Sequence, residues 1–200
     1  MKCKLITLLL ILISSQLYSQ NKIATINGLV HNKTFTYAYL YDFDNKETKV
    51  CQIVADKFKF ELEIEKELKI YKLFLGSESS ILPENQIEHR IQDRSGTRMI
   101  ALENMNIDIT DGVMSAIIEG GELNKSLDEM NITIKNFDYD SYFEKFPDSP
   151  VSILFLKALV RISKAPILDS PINVQSFYTK LSDRLKNSED GKILYASIFK

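Results

Sequence analysis

Residues 57–65 read Lys57-Phe58-Lys59-Phe60-Glu61-Leu62-Glu63-Ile64-Glu65. Phe58, Phe60, Leu62 and Ile64 alternate with Lys59, Glu61, Glu63 and Glu65, the period of a strand with one dry face and one wet face. The same alternation recurs over residues 23–30, 34–43, 49–54, 69–75, 98–102, 106–110 and 114–119. Seven or eight short strands separated by turn clusters predict an antiparallel β-sandwich or barrel-like domain over residues 20–120. Two turns are expected at Ala55-Asp56-Lys57 and at Glu103-Asn104-Met105-Asn106, each with an Asp or Asn where a left-handed residue is wanted. The polar stretch 76–98 is long for a connection inside such a domain, and is expected to be either functional or loosely ordered.

From residue 121 the period changes to 3.6. Leu123, Leu127, Met130 and Ile134 fall at steps of four, three and four, aligned on one helical face. A short helix over 139–146 is stopped by Pro147, and Ser149-Pro150 supplies an N-cap and a first-turn proline for a helix over 151–162. That helix is apolar almost all round, apart from a stripe of Lys157, Arg161 and the following Lys164, and should be the centre of a helical domain spanning 121–200. After a loop bearing Pro166 and Pro171, the set Val174, Phe177, Tyr178, Leu181 and Leu185 defines another amphipathic helix, and Ser188-Glu189-Asp190 starts a last one. The fold class expected is therefore α+β, strands first and helices after.

Lys2 and Lys4 precede a nine-residue apolar run, 5–13, and then the polar, small-residue stretch Ser14-Ser15-Gln16-Leu17-Tyr18-Ser19-Gln20. A spanning helix needs about 20 apolar residues, so this is the layout of a secretory signal peptide over 1–19 rather than a membrane anchor. Export to the periplasm or cell envelope follows, with no transmembrane helix after cleavage. Cys3 lies before the apolar run, where a lipoprotein signal would need a cysteine after it, so the mature chain is not expected to be a lipoprotein.

The chain has 200 residues, 44% apolar and 26% charged, with nine tyrosines, eleven phenylalanines, seven glycines and five prolines. Such a composition can bury enough surface to fold and excludes collagen-like or low-complexity structure. Cleavage removes two lysines, leaving 23 basic against 27 acidic groups. Lysines and glutamates are interleaved rather than segregated, which offers nucleic acid no basic patch. Cys51 becomes the only thiol, so no intramolecular disulfide can form; it is either a packing residue of a strand, which its neighbours Val50, Ile53 and Val54 favour, or an exposed thiol able to pair between chains.

No catalytic motif is present: no nucleophile elbow, phosphate loop or Rossmann glycine pattern. His31 and His89 lie far apart, without cysteine or carboxylate at zinc-motif spacing. Asp138-Tyr139-Asp140 and Asp108-Ile109-Thr110-Asp111 lack the rest of a calcium loop and read as solvated loop acids. No cofactor, metal or catalytic residue is assigned, and the chain is not expected to be an enzyme. The candidate binding residues are Tyr37, Tyr39 and Tyr41, which with Phe35 and Phe43 alternate along one strand and so share one face of the sheet. An open row of this kind stacks on sugar rings or apolar peptide; a covered one is core.

The segment Ile26-Asn27-Gly28-Leu29-Val30, the aromatic Tyr37-Ala38-Tyr39-Leu40-Tyr41, the Asp56-Lys57-Phe58-Lys59-Phe60 hairpin and Leu102-Glu103-Asn104-Met105-Asn106-Ile107-Asp108-Ile109-Thr110 follow a signal peptide in that order. Gly120-Gly121-Glu122-Leu123-Asn124 then leads into the first helix, and Phe146-Pro147-Asp148-Ser149-Pro150 starts the central one. Together these resemble the family called domain of unknown function 4369, over nearly the whole mature chain. Asp56 and Met105 stand where that family usually has glycine, so Asn104 or Asn106 is expected to take the left-handed position. The resemblance implies an N-terminal module of envelope proteins of Gram-negative bacteria that precedes a thioredoxin-like thiol-disulfide oxidoreductase domain. This sequence has no C-x-x-C pair, so no redox role passes to any of its residues. The expected function is a non-catalytic protein-interaction module, whose partner is an envelope thioredoxin-like protein or a second copy of itself. The alternatives are a glycan- or peptide-binding protein using the tyrosine face, and a truncated oxidoreductase.

Overall fold

A computed structural model describes residues 22–92, 96–164 and 172–199. The signal peptide expected over 1–19 and the loop holding Pro166 and Pro171 lie outside the described residues. Eight strands come first: β1 (Ile23–Val30), β2 (Tyr37–Asp42), β3 (Glu47–Gln52), β4 (Lys57–Glu63), β5 (Ile70–Gly76), β6 (Thr97–Ala101), β7 (Met105–Ile109) and β8 (Ile117–Glu119). They form two four-stranded sheets, ordered β4-β1-β7-β8 and β3-β2-β5-β6. All pairings are antiparallel except β1 with β7. No barrel is closed: the two sheets share one core, built from the inward residues of both, among them Ile26, Leu40, Phe60, Leu73, Ile100 and Ile107. The alternation of 57–65 is realised as expected, with Phe58, Phe60 and Leu62 buried and Lys57, Lys59, Glu61 and Glu63 exposed.

The chain crosses between the sheets through the β3–β4 turn. Ala55 and Asp56 have φ of 50° and 64°, and Val54 and Lys57 exchange backbone hydrogen bonds of 2.9 and 3.1 Å across them. Two successive left-handed residues give a two-residue turn whose twist matches the strands. The second expected turn is different. Neither Asn104 nor Asn106 has positive φ; Met105 opens β7 with its side chain 3% exposed in the core, while Asn104 Oδ1 accepts from Thr25 N at 2.8 Å. Burial of Met105 fixes the register, and the asparagine serves as a clamp onto β1 rather than as a conformational hinge. Gly28 is needed for space, since a Cβ there would lie 2.0 Å from the Phe58 ring, which covers the glycine from the neighbouring strand.

The 76–98 connection is not a bare loop. It carries helix α1 (Glu84–Gln92), and Leu82 and Ile87 pack with Tyr39 and Phe74 into a small core on the outer face of the β3-β2-β5-β6 sheet. The segment expected as a strand over 114–119 is a 3-10 turn at Val113–Ser115 followed by β8, because Val113 and Ala116 bury against the sandwich core and bend the chain.

Helices follow: α2 (Glu122–Asn136), α3 (Tyr139–Lys145), α4 (Pro150–Ser163), α5 (Val174–Lys180), α6 (Asp183–Asn187) and α7 (Glu189–Phe199). α4 is central, packed by α2, α5 and α7, and its start is capped by Ser149 with Pro150 in the first turn. Phe143 stacks between Phe155 and Phe177 at 5.6 and 5.0 Å between ring centroids. Two expectations need correction. The helix expected over 174–185 breaks at Leu181, which is extended with ψ 149°, because the Ser182 side chain caps α6 and the Ser182 N–H bonds the Pro147 carbonyl. On α2, Ile134 is 45% exposed and Thr133 is buried instead, because the buried face is centred on Asn124, Ser126, Leu127 and Met130.

The halves are tied by polar bonds that no apolar pattern reveals. Asn124 on α2 accepts from Ala101 N at 2.9 Å and donates to Ala101 O at 2.8 Å, closing the edge of β6. Glu103 accepts from Leu123 N and Asn124 N at 3.2 and 2.7 Å, filling the N-terminal turn of α2. Arg98 grips Asp128 with two bonds of 2.8 Å. Leu68, Ile70 and Met99 pack into the helical core, so the β3-β2-β5-β6 sheet has neighbours on both faces.

Candidate functional site

The tyrosine row is divided by its surroundings. Only Tyr37–Asp42 is strand, so Phe35 lies before it and packs against the sandwich core, away from the tyrosine face. Tyr39 is fully buried, stacked on Phe74 at 4.7 Å with an interplanar angle of 3°, and its hydroxyl accepts from Leu82 N at 3.1 Å. Burial pushes the Tyr39 hydroxyl above the ordinary phenol range, the Leu82 N–H only partly opposing it. Tyr37 and Tyr41 are half-buried, Tyr37 against the Tyr39 cluster and Tyr41 edge-on to Phe43 at 5.4 Å. Tyr71 points the other way, into the sandwich core. The row is therefore largely the seat of α1, and Lys72 reinforces the seat by donating to the Ile91 carbonyl at 2.6 Å near the end of that helix.

Outward from the other sheet lies a groove of about 640 Å³, within the size range of small-ligand sites. Its lining includes Asn27, Leu29, Lys57, Lys59, Asn106, Asp108 and Glu119, with Cys51 and Gln52 at the β3 side. Register explains the arrangement. Lys59 faces Asn27, Asn27 faces Asn106 and Asn106 faces Glu119, so one row crosses all four strands. A second row, two residues along, runs Lys57, Leu29, Asp108, Ile117. In the middle, Asn27 Nδ2 donates to Asn106 Oδ1 at 3.1 Å. Among the described residues, that bond leaves the Asn27 side-chain carbonyl as an acceptor and the Asn106 side-chain amide as a donor with no protein partner.

At the end of the groove His31 Nε2 meets Asp108 Oδ1 at 2.8 Å, a contact between positions 77 apart in sequence that only the parallel β1–β7 pairing creates. Lys59 pairs with Glu61 on its own strand, while Lys57 and Glu119 have no partner among the described residues. Cys51 is half-buried against the sandwich core, its Sγ donating to Gln52 O at 3.4 Å. The sequence reading did not find this site, because its polar residues look like any wet strand face until the register is known.

No protein-family model and no curated protein matches the chain. The family resemblance therefore rests on the motifs themselves. The remaining sequence candidates are dispersed: His89 is exposed on α1, Asp138 caps α3 by accepting from Ser141 N, and Asp140 accepts from Lys180 at 2.6 Å. Among the described residues no three His, Cys, Asp or Glu side chains are grouped to hold a metal, and no helix is long and apolar enough to cross a membrane.

A second polar cluster, also unforeseen, lies at the end of the covered sheet. Lys69 and Asp42, 6% and 4% exposed, pair at 3.0 Å; Lys69 also reaches Glu65 at 3.1 Å and sits 5.6 Å over the Tyr71 ring. Burial works against both charges but is outweighed. The Lys69 ammonium and the N–H groups of Asp44 and Asn45 hold the Asp42 carboxyl below its usual range, and the Asp42 and Glu65 carboxylates hold Lys69 above its own. Every donor in this cluster is spent inside the fold, so it is a structural staple.

Proposed function

We propose that this chain is an exported, non-catalytic protein-interaction module of the bacterial cell envelope, and that it recognises its partner through the groove on the β4-β1-β7-β8 sheet. The observation that carries this reading is the open groove itself, where Asn27, Asn106, Lys57 and Glu119 present exposed hydrogen-bonding groups on a sheet face that no element among the described residues covers, while the outer face of the other sheet is taken by α1 and the helical core. Membership in the envelope, and an envelope thioredoxin-like protein as partner, come from the signal-like N-terminus and the family resemblance, which is reasoning by analogy. The tyrosine-face alternative is weaker, because Tyr39 is occupied by Phe74 and Leu82.

The test is capture from envelope extract with the mature chain, a Lys57→Glu/Glu119→Lys variant, Cys51→Ser and Tyr37→Ala/Tyr41→Ala. Recovery of a thioredoxin-like protein, lost in the groove variant and kept in the other two, is the expected result. Its loss in the tyrosine variant alone moves recognition to the β2 face; its loss in Cys51→Ser alone makes the partnership a mixed disulfide.

A further inference from the structure

Resting on the groove being the recognition surface, we infer that it binds a free, extended peptide of about four residues, with its carboxylate toward Lys57 and Lys59 and its ammonium toward Asp108 and Glu119. The order of the two cross-strand rows carries the inference. Cations stand on β4, neutral amide or apolar residues on β1, and an amide and a carboxylate on β7, with Glu119 on β8. Within these two rows the cations lie on β4 and the carboxylates on β7 and β8, while the next two outward positions of β4 are Glu61 and Glu63.

Lys57 and Glu119, whose side chains have no partner among the described residues, stand on the two edge strands in adjacent rows; Asn27 and Asn106 lie in the row of Glu119, which ends on β4 at Lys59. Three inter-strand spacings make about 14 Å, which is the reach of about four extended residues. A chain of that length places one end charge at each edge. A peptide group passing the middle finds what it needs: the free Asn27 oxygen accepts its N–H, and the free Asn106 amide donates to its C=O.

The partnered charges fit the same polarity. Lys59, beside Lys57 on β4, is shared with Glu61, and Asp108, on β7 one strand in from Glu119, is shared with His31. A neutral glycan satisfies the amides but leaves both charged edges unused. A polyanion meets the lysines and is repelled at Asp108 and Glu119.

The experiment is titration of the folded mature chain with tetra-alanine in four forms: unblocked, N-acetylated, C-amidated and doubly blocked. Lys57→Gln and Glu119→Gln variants, checked for unchanged melting temperature, accompany it. The unblocked peptide is expected to bind best, each blocked end weakening it by about three- to fivefold, as for solvent-exposed charge pairs. Lys57→Gln should abolish the preference for a free carboxylate alone, and Glu119→Gln that for a free amine alone. Equal binding of all four peptides overturns the charge assignment, and if that binding still falls in Asn27→Ala the groove survives as the site. Tighter binding of a neutral oligosaccharide than of any peptide overturns the ligand class. No binding of any peptide, with partner capture unaffected by Lys57→Glu/Glu119→Lys, overturns both the ligand and the groove.

Discussion

The outer faces of the two sheets begin from the same strand alternation and end in opposite states. On β4-β1-β7-β8 the outward positions are mostly polar, Thr25, Asn27, Lys57, Lys59, Glu61, Glu63, Asn106, Asp108 and Glu119, with Ile23, Leu29 and Ile117 among them, and no element among the described residues covers them. On β3-β2-β5-β6 they include Tyr37, Tyr39, Ile70, Phe74 and Met99, and that face is taken by α1 at one part and by the helical core at another. Strand period alone says that one face is wet; it does not say which. Composition of the outward set decides, since burying an aromatic ring repays ordering a helix over it, and burying Lys59 or Asp108 does not. The bare face is consequently the one free to meet a partner.

The largest effect is expected at the covered sheet's buried ion pair. Lys69→Met leaves Asp42 buried without its cation and should cost about 3–5 kcal/mol in chemical denaturation, with partial recovery in Lys69→Met/Asp42→Asn. The pH dependence follows from the two shifts. Asp42 is depressed on folding, so its contribution is present above the unfolded carboxylate value near about 4 and is lost as pH falls through the folded value. Lys69 is raised, so its contribution is complete below about 10.4 and is lost as pH rises through the folded value. The stability gap between wild type and Lys69→Met should therefore stay wide through neutral pH and narrow below about pH 4. A gap that is flat from pH 2 to 7 sinks the assignment.

Next in size is the seat of α1. Tyr39→Ala removes a stacked, fully buried ring and the acceptor of Leu82 N, and should destabilise by about 3 kcal/mol while speeding hydrogen exchange in α1. Tyr39→Phe keeps the stack and should cost about 1 kcal/mol for the unpaired Leu82 N–H. Were Tyr39→Ala neutral in both readouts, the row would be an open binding face after all, and the contrast between the sheets would collapse.

What could be read from the chain beforehand follows the range of the forces involved. Phe58, Phe60 and Leu62 announce their strand, and Ser149-Pro150 announces α4, because alternation and capping act within a few residues. α1 was missed because its two apolar anchors, Ile87 and Ile91, are sparse, and the helix is held by Tyr39 and Phe74 from distant strands. Thr133 rather than Ile134 is buried because the polar anchors Asn124 and Ser126, bonded to Ala101 and Tyr142, set the rotation of α2. The groove was invisible for a related reason: Asn27 meets Asn106 only through a parallel pairing between strands 79 positions apart. No local pattern encodes a register of that kind. The tyrosines drew attention because their spacing is local, and spacing cannot distinguish a ligand face from the floor beneath a helix.

The smallest expected effect is the most discriminating for the open face. Asn27 is exposed, and its one side-chain bond among the described residues, to Asn106, is between two wet groups. Asn27→Ala should therefore shift stability by less than about 0.5 kcal/mol, as exposed substitutions away from caps and cores do. Lys59→Ala, where the side chain's only partner among the described residues is Glu61, belongs in the same range. A cost above about 1 kcal/mol for Asn27→Ala would make the amide pair a structural clamp between β1 and β7, comparable to Asn104 on Thr25, and would remove the reason for assigning it to a ligand. A neutral result means the row Lys59, Asn27, Asn106, Glu119 does nothing for the fold that water would not do. The row then costs the fold nothing to lose, and the peptide titration alone decides whether it serves a ligand or only keeps an open sheet face wet.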